Sequence, residues 1–182
     1  MLAVKITLGV GWAVFWLYWL GSAFTSKRGR VPWVRELRIR AVLIVVVIVL
    51  VHLGVFRHHA VNTTPWLGIL GIVVVAAGLG VAVWARLTIG RNWGMPMTEK
   101  DDPELVTTGP YRFVRNPIYS GILLAGVGTA VGVNWLWLTV VALAGIYFVY
   151  SATVEERYMS EQFPDTYPAY KRSSKMLVPF VF

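Results

Sequence analysis

The 182-residue chain predicts an all-α polytopic membrane protein with five transmembrane helices, the last two forming a helical hairpin, its N-terminus outside and its C-terminus in the cytoplasm. Three observations predict this. Hydrophobic residues make up 57% of the sequence and charged residues only 14%, against roughly 25% in an average soluble domain. Uncharged runs close to the length of a bilayer crossing recur along the chain. Lys and Arg collect in alternate connections between those runs.

The runs are counted directly. Residues 6–24 carry no charge over 19 positions, residues 41–56 over 16, and residues 66–85 over 20; a hydrocarbon core of about 30 Å takes about 20 helical residues. A cleaved signal peptide is the alternative for the first run, but a single early lysine, several tryptophans and no A-x-A site argue for a retained span. Residues 118–154 form an uncharged run of 37. As one helix it would be about 55 Å long, nearly twice the membrane core. It therefore folds back, and Gly132, Val133 and Asn134 supply the turn, with Trp135 and Trp137 at the interface. The two legs are predicted at 117–131 and 135–154.

Orientation follows from the basic residues. Of the 17 Lys and Arg, all but Lys5 and Arg57 lie in the connection after the first span, the connection after the third, or the C-terminal tail, which places those segments in the cytoplasm. The net charge of +8 is thus a topology signal rather than a sign of nucleic-acid binding. The absence of cysteine excludes disulfides, thiolate metal sites and cysteine nucleophiles.

Polar sequence concentrates in residues 86–182. The stretch GPYRFVRNPIYSG, residues 109–121, stands just before the hairpin, and Glu155 and Glu156 end its second leg. With Pro117 at the first helical position, where proline is favoured, Arg115, Asn116 and the first-turn N–H groups share a depth with the two glutamates. The predicted result is a pocket with cations and helix-start donors on one wall and carboxylates on the other, suited to a zwitterionic ligand. Tyr111, Tyr119 and Tyr158 add stacking surface. Taken singly, Arg112 and Arg115 read first as positive-inside anchors and the tyrosines as an aromatic belt. His52 reads as an interior hydrogen-bonded residue, and His58 and His59 lack partners for a metal site.

From about Val81 onward the chain resembles the isoprenylcysteine carboxyl methyltransferase and phospholipid methyltransferase superfamily of integral-membrane enzymes. The pieces that carry the resemblance are TIGRNWG, ELVTTGPYRFVRNPIYSG, EERYMSEQFPDTYPAYKR and MLVPF, in order and at matching spacing over roughly a hundred residues. The resemblance implies S-adenosylmethionine as cofactor, no metal, and a lipophilic or prenylated acceptor entering from the bilayer among membrane lipids, with no nucleic acid. It implies a single membrane domain, 1–182, in which 1–85 is a three-helix support and 86–182 binds the cofactor and carries catalysis. Arg115 and Glu156 are the implied catalytic residues. Gly109, Pro110, Tyr111, Arg112, Asn116, Pro117, Tyr119, Glu155, Tyr167 and Tyr170 are the implied cofactor contacts.

Two positions depart from the family pattern. Asn116 replaces a histidine, which keeps a donor and an acceptor but cannot titrate. Pro164 replaces a glycine and ends the preceding helix. The expected reaction is methyl transfer to a carboxylate or other oxygen of an isoprenyl-type lipid. Phospholipid N-methylation is the alternative, with a glutamate as base; an NADPH-dependent lipid reductase and a non-catalytic scaffold stand behind it.

Overall fold

A computed structural model describes residues 1–23, 29–30, 41–42, 45, 49, 64–93, 99–100 and 104–182. Five α-helices stand among them: α1 (Leu2–Ala23), α2 (Pro65–Ile89), α3 (Pro117–Gly132), α4 (Trp137–Gln162) and α5 (Tyr167–Ser173). Short 3-10 turns at Gly90–Asn92 and Gly109–Arg112 extend α2 and precede α3. A two-residue antiparallel ladder pairs Gly29 with Lys100 and Arg30 with Glu99, a local exception to the all-helical expectation.

Among the described residues, three stretches are long and apolar enough to cross a membrane: Leu2–Ser22, Pro65–Asn92 and Trp137–Gln162. Their outer faces, with Ile6, Val10, Leu17, Ile69, Val73 and Ile146 exposed, are lipid-facing surface of a membrane protein. The first hairpin leg, expected at 117–131, is α3, a shorter apolar helix than the other three. It has 16 residues, about 24 Å against a core of about 30 Å, because Pro117 starts it and Gly132 ends it. Of the predicted span at 41–56, only residues 41, 42, 45 and 49 are among those described.

α1 and α2 run parallel: Val4 lies against Gly68 at one end, and the Arg86 Nη2 donates to the Ser22 carbonyl at 2.6 Å at the other. α3 returns antiparallel to α2 with almost no side chain between the two backbones. A Cβ added at Gly78 would sit 2.5 Å from the Ala125 nitrogen, and one at Gly71 would sit 2.5 Å from the Gly132 Cα. The small residues of α3 thus serve packing within the chain. The α3–α4 turn is closed by Asn134, which is 1% exposed and accepts from the Leu136 N–H at 2.9 Å through Oδ1. α4 runs eight residues past Val154, because Glu155, Glu156 and Arg157 are good helix formers. It stops at Phe163, which the following Pro164 pushes out of the helical region.

This arrangement gathers the last turns of α1, α2 and α4, the first turn of α3 and the tail at one end. The polar residues of the second half meet there.

Candidate functional site

Asn116 is the residue before α3, yet its side chain does not cap the helix. Its Nδ2 and its backbone N–H both donate to the Met176 carbonyl, each at 3.2 Å. The neighbouring pairs continue this: the Arg115 N–H donates to the Lys175 carbonyl at 2.7 Å, and the Lys175 N–H to the Phe113 carbonyl at 3.1 Å. Residues 113–116 and 175–176 therefore form a short parallel pairing. Ser120 Oγ extends it by donating to the Leu177 carbonyl. The tail is laid against the start of α3 by backbone bonds, and the Asn116 side chain makes no capping bond to that helix.

A buried ion cluster sits beside this pairing. Arg115 Nε donates to Glu156 Oε1 at 2.7 Å, with the two side chains 9% and 6% exposed. Lys171 Nζ binds the other carboxylate oxygen at 2.8 Å. Arg115 Nη1 donates to the carbonyls of Lys171 and Ser174. Both oxygens of Glu156 and two donor nitrogens of Arg115 are thus engaged within the protein. The second helix leg thus brings Glu156 back to Arg115, while Asn116 bonds the tail.

Glu155 is placed differently. It is half-buried, and its Oε1 accepts from the Tyr119 hydroxyl at 2.6 Å. The Tyr119 ring is stacked on Phe148 at 4.5 Å and 8°, which fixes the hydroxyl's direction. Tyr111 is buried, and its carbonyl accepts from the Tyr170 hydroxyl at 2.7 Å. Tyr167 is buried edge-on to Tyr170, with the rings 5.9 Å apart. Burial pushes the Tyr111 hydroxyl well above its ordinary range, with the Glu155 charge adding to it. Burial does the same for Tyr167, and pushes Tyr170 up to about 12 against the opposing influence of Arg115. All three are neutral hydrogen-bonding rings at physiological pH.

Gly109 and Pro110 set the loop that carries Tyr111. Gly109 has φ +58, a conformation open to glycine, and a Cβ there would lie 2.9 Å from Thr88 Oγ1 at the end of α2. Arg112 is the expected contact that stands apart: it is exposed, over the Phe113 ring at 5.8 Å. Tyr158 is half-buried on α4.

Two residues at this end have roles that were not singled out in the sequence. Lys171 reads in the sequence as a tail cation that would bind a phosphate under the reductase alternative, and its reach to Glu156 depends on the turn between α4 and α5. Arg86 was counted only as a topology charge. It is 3% exposed, donates to the carbonyls of Gly90 and Ser22, and lies 4.8 Å from the Trp93 ring centre. An arginine three residues before the end of a long apolar helix, with a Trp seven positions on, is a signal of this kind of tie.

A partly open apolar cavity of about 500 Å³ lies between α1, α3 and α4, lined by Leu8, Trp12, Ile122, Leu123, Val140 and Ala144 among others. It does not reach the polar cluster. Its nearest lining residue on α3, Ile122, is five positions past Pro117, about 7.5 Å along the helix. Among the described residues no group of three or more His, Cys, Asp or Glu is arranged to hold a metal ion; His52, His58 and His59 lie outside them.

Fold and site together define a helical membrane protein whose polar centre joins one helix start, one glutamate pair and a folded-back tail. A model of the phospholipid methyltransferase family matches residues 66–166, more than half of the chain, and the chain belongs to that family. It is 34% identical over 121 residues to a protein-S-isoprenylcysteine O-methyltransferase of Xenopus laevis, covering 64% of this chain and 42% of the relative. Protein-S-isoprenylcysteine O-methyltransferase B of Arabidopsis thaliana is 29% identical over 121 residues, covering 64% of this chain and 61% of the relative. Cobalt-zinc-cadmium resistance protein CzcN of Cupriavidus metallidurans is 29% identical over 139 residues, 75% of this chain and 61% of the relative. The chain spans about half the length of the relatives it matches.

Proposed function

We propose that the protein is an integral-membrane methyltransferase that moves a methyl group from S-adenosylmethionine to a lipophilic acceptor, a carboxylate or other oxygen of an isoprenyl-type lipid, at the cytoplasmic face. The observation that carries the reading is the Tyr119–Glu155 pair at the first turn of α3. The residues present fit the cofactor: a half-buried carboxylate suits a cationic group, helix-start N–H groups suit a carboxylate, and the tyrosine rings offer a wall for a flat base.

In this reading the roles divide between the two glutamates. Glu155, aimed by Tyr119, is the carboxylate that meets the ligand. Glu156, held by Arg115 and Lys171, keeps the tail in place so that Tyr167 and Tyr170 close the site and exclude water. When bound, S-adenosylmethionine supplies a methyl on a sulfonium that leaves as a neutral thioether. An acceptor carboxylate is ionised at pH 7, so this chain has to align it rather than deprotonate it. The apolar cavity offers volume for the acceptor's hydrocarbon chain, with the reacting end toward Ile122. The names of the isoprenylcysteine O-methyltransferase relatives support oxygen as the acceptor atom.

The test is methyl transfer by the protein in lipid bilayers, with methyl-labelled donor and either a farnesylcysteine analogue or phosphatidylethanolamine. The expected product is a base-labile label on the farnesyl compound. Alkali-stable label on phosphatidylethanolamine would assign the nitrogen chemistry instead, and no transfer to either would overturn the reading.

A further inference from the structure

The tail's course after α5 has no role in the chemistry above. Met176 and Leu177 descend beside α4: Leu177 is 4% exposed and packs with Tyr119 and Ala152, next to Phe148 and Val149. Ala152 lies three positions before Glu155, about 4.5 Å toward the middle of the apolar helix. The chain therefore leaves the polar layer and enters the apolar one. There it makes a compact turn in which Leu177 and Val178 donate to the Phe182 carbonyl and Phe182 donates back to Val178. The side chains of this turn face outward: Phe180 is 85% exposed, Val181 75% and Phe182 51%. Arg172 and Lys175, both exposed, stand just above it.

We propose that residues 178–182 are a membrane-seated foot, inserted into the leaflet that borders the polar cluster, with Arg172 and Lys175 on the anionic headgroups of that leaflet. An apolar turn at membrane depth beneath a pair of cations has the chemistry of an interfacial anchor, and the cations select an anionic surface over a neutral one. Because Lys171 and Ser174 tie the same tail to Glu156 and Arg115, seating the foot holds the closed end of the site in place. The inference rests on the membrane crossing and not on the reaction catalysed.

The chain has no cysteine, so one introduced thiol reports a single place. Val181→Cys, labelled with an environment-sensitive fluorophore, is reconstituted in phosphatidylcholine vesicles with or without phosphatidylglycerol. The expected result is apolar emission, quenching by a lipid-borne nitroxide and poor access to iodide, each stronger with the anionic lipid. Arg172→Gln with Lys175→Gln lowers the inserted-to-exposed ratio about 30-fold in the anionic vesicles. The same label at Phe182→Cys gives an independent reading should the first site disturb the turn. Free iodide access in both vesicles overturns the proposal, as does an emission that ignores both lipid charge and the two substitutions.

Discussion

Arg115 Nε donates to Glu156 Oε1 at 2.7 Å across 41 positions of sequence, with both side chains almost fully buried. The bond joins the start of α3 to the end of α4 and, through Lys171, to the tail. Removing Arg115 leaves the buried Glu156 with the half-exposed Lys171 as its ion partner, and removing Glu156 leaves the Arg115 charge buried against carbonyls alone. Arg115→Ala is expected to cost about 3–5 kcal/mol of stability in detergent, and Arg115→Met with Glu156→Leu less than the sum of the two single changes. Lys171→Ala, at a half-exposed position, is expected to cost no more than about 1 kcal/mol. Denaturant unfolding followed by helical circular dichroism checks all three.

Tyr119→Phe separates ligand binding from folding. It removes the hydroxyl bonded to Glu155 and keeps the ring stacked on Phe148. The expected outcome is an unfolding midpoint within a few degrees of wild type and S-adenosylhomocysteine affinity about tenfold weaker, on the order of 1.4 kcal/mol. Equal affinity in the two proteins would remove Glu155 from the binding site.

The α2–α3 contact predicts a steep response at glycine. At Gly78 and Gly121 an added Cβ would meet backbone atoms of the facing helix 2.5 Å away, which cannot move without separating the helices. Gly78→Val is expected to lower the folded yield sharply, whereas Gly80→Val, with open space around it, should be tolerated. Size-exclusion profiles of the two variants make the comparison.

Alkaline pH tests the burial of the tyrosine wall. Tyr170 titrates at about 12 in the folded protein against an ordinary value of 10, and Tyr111 and Tyr167 are shifted the same way. The unfolded chain releases these protons first as pH rises. Their contribution to stability is therefore complete below pH 10 and is lost as pH rises above it, that of Tyr170 by about pH 12. Absorbance near 295 nm should show part of the eight tyrosines ionising only as helical signal falls.

The hairpin was legible because charge exclusion over 37 residues leaves a single way to fit the membrane, and Pro117 and Gly132-Asn134 mark its ends. The meeting of Arg115 with Glu156 followed from that geometry. The pairing of residues 113–116 with the tail was not legible, since it is made by backbone groups and leaves no side-chain pattern. Asn116 illustrates the difference. Its place beside α3 could be read from the sequence, but its amide's use in holding Met176 could not. Arg86 was misjudged because a charge at a helix end satisfies the topology rule whether it faces water or, as here, two carbonyls and an indole.

The central claim is that Glu155, aimed by Tyr119 beside the start of α3, receives the methyl donor. Calorimetric titration of the purified protein with S-adenosylhomocysteine, and separately with NADPH, tests it most directly. The account predicts saturable binding of S-adenosylhomocysteine alone, weakened at least tenfold by Glu155→Gln, in a variant that still unfolds cooperatively. Binding of NADPH instead, no heat with either compound, or full affinity in Glu155→Gln would contradict it.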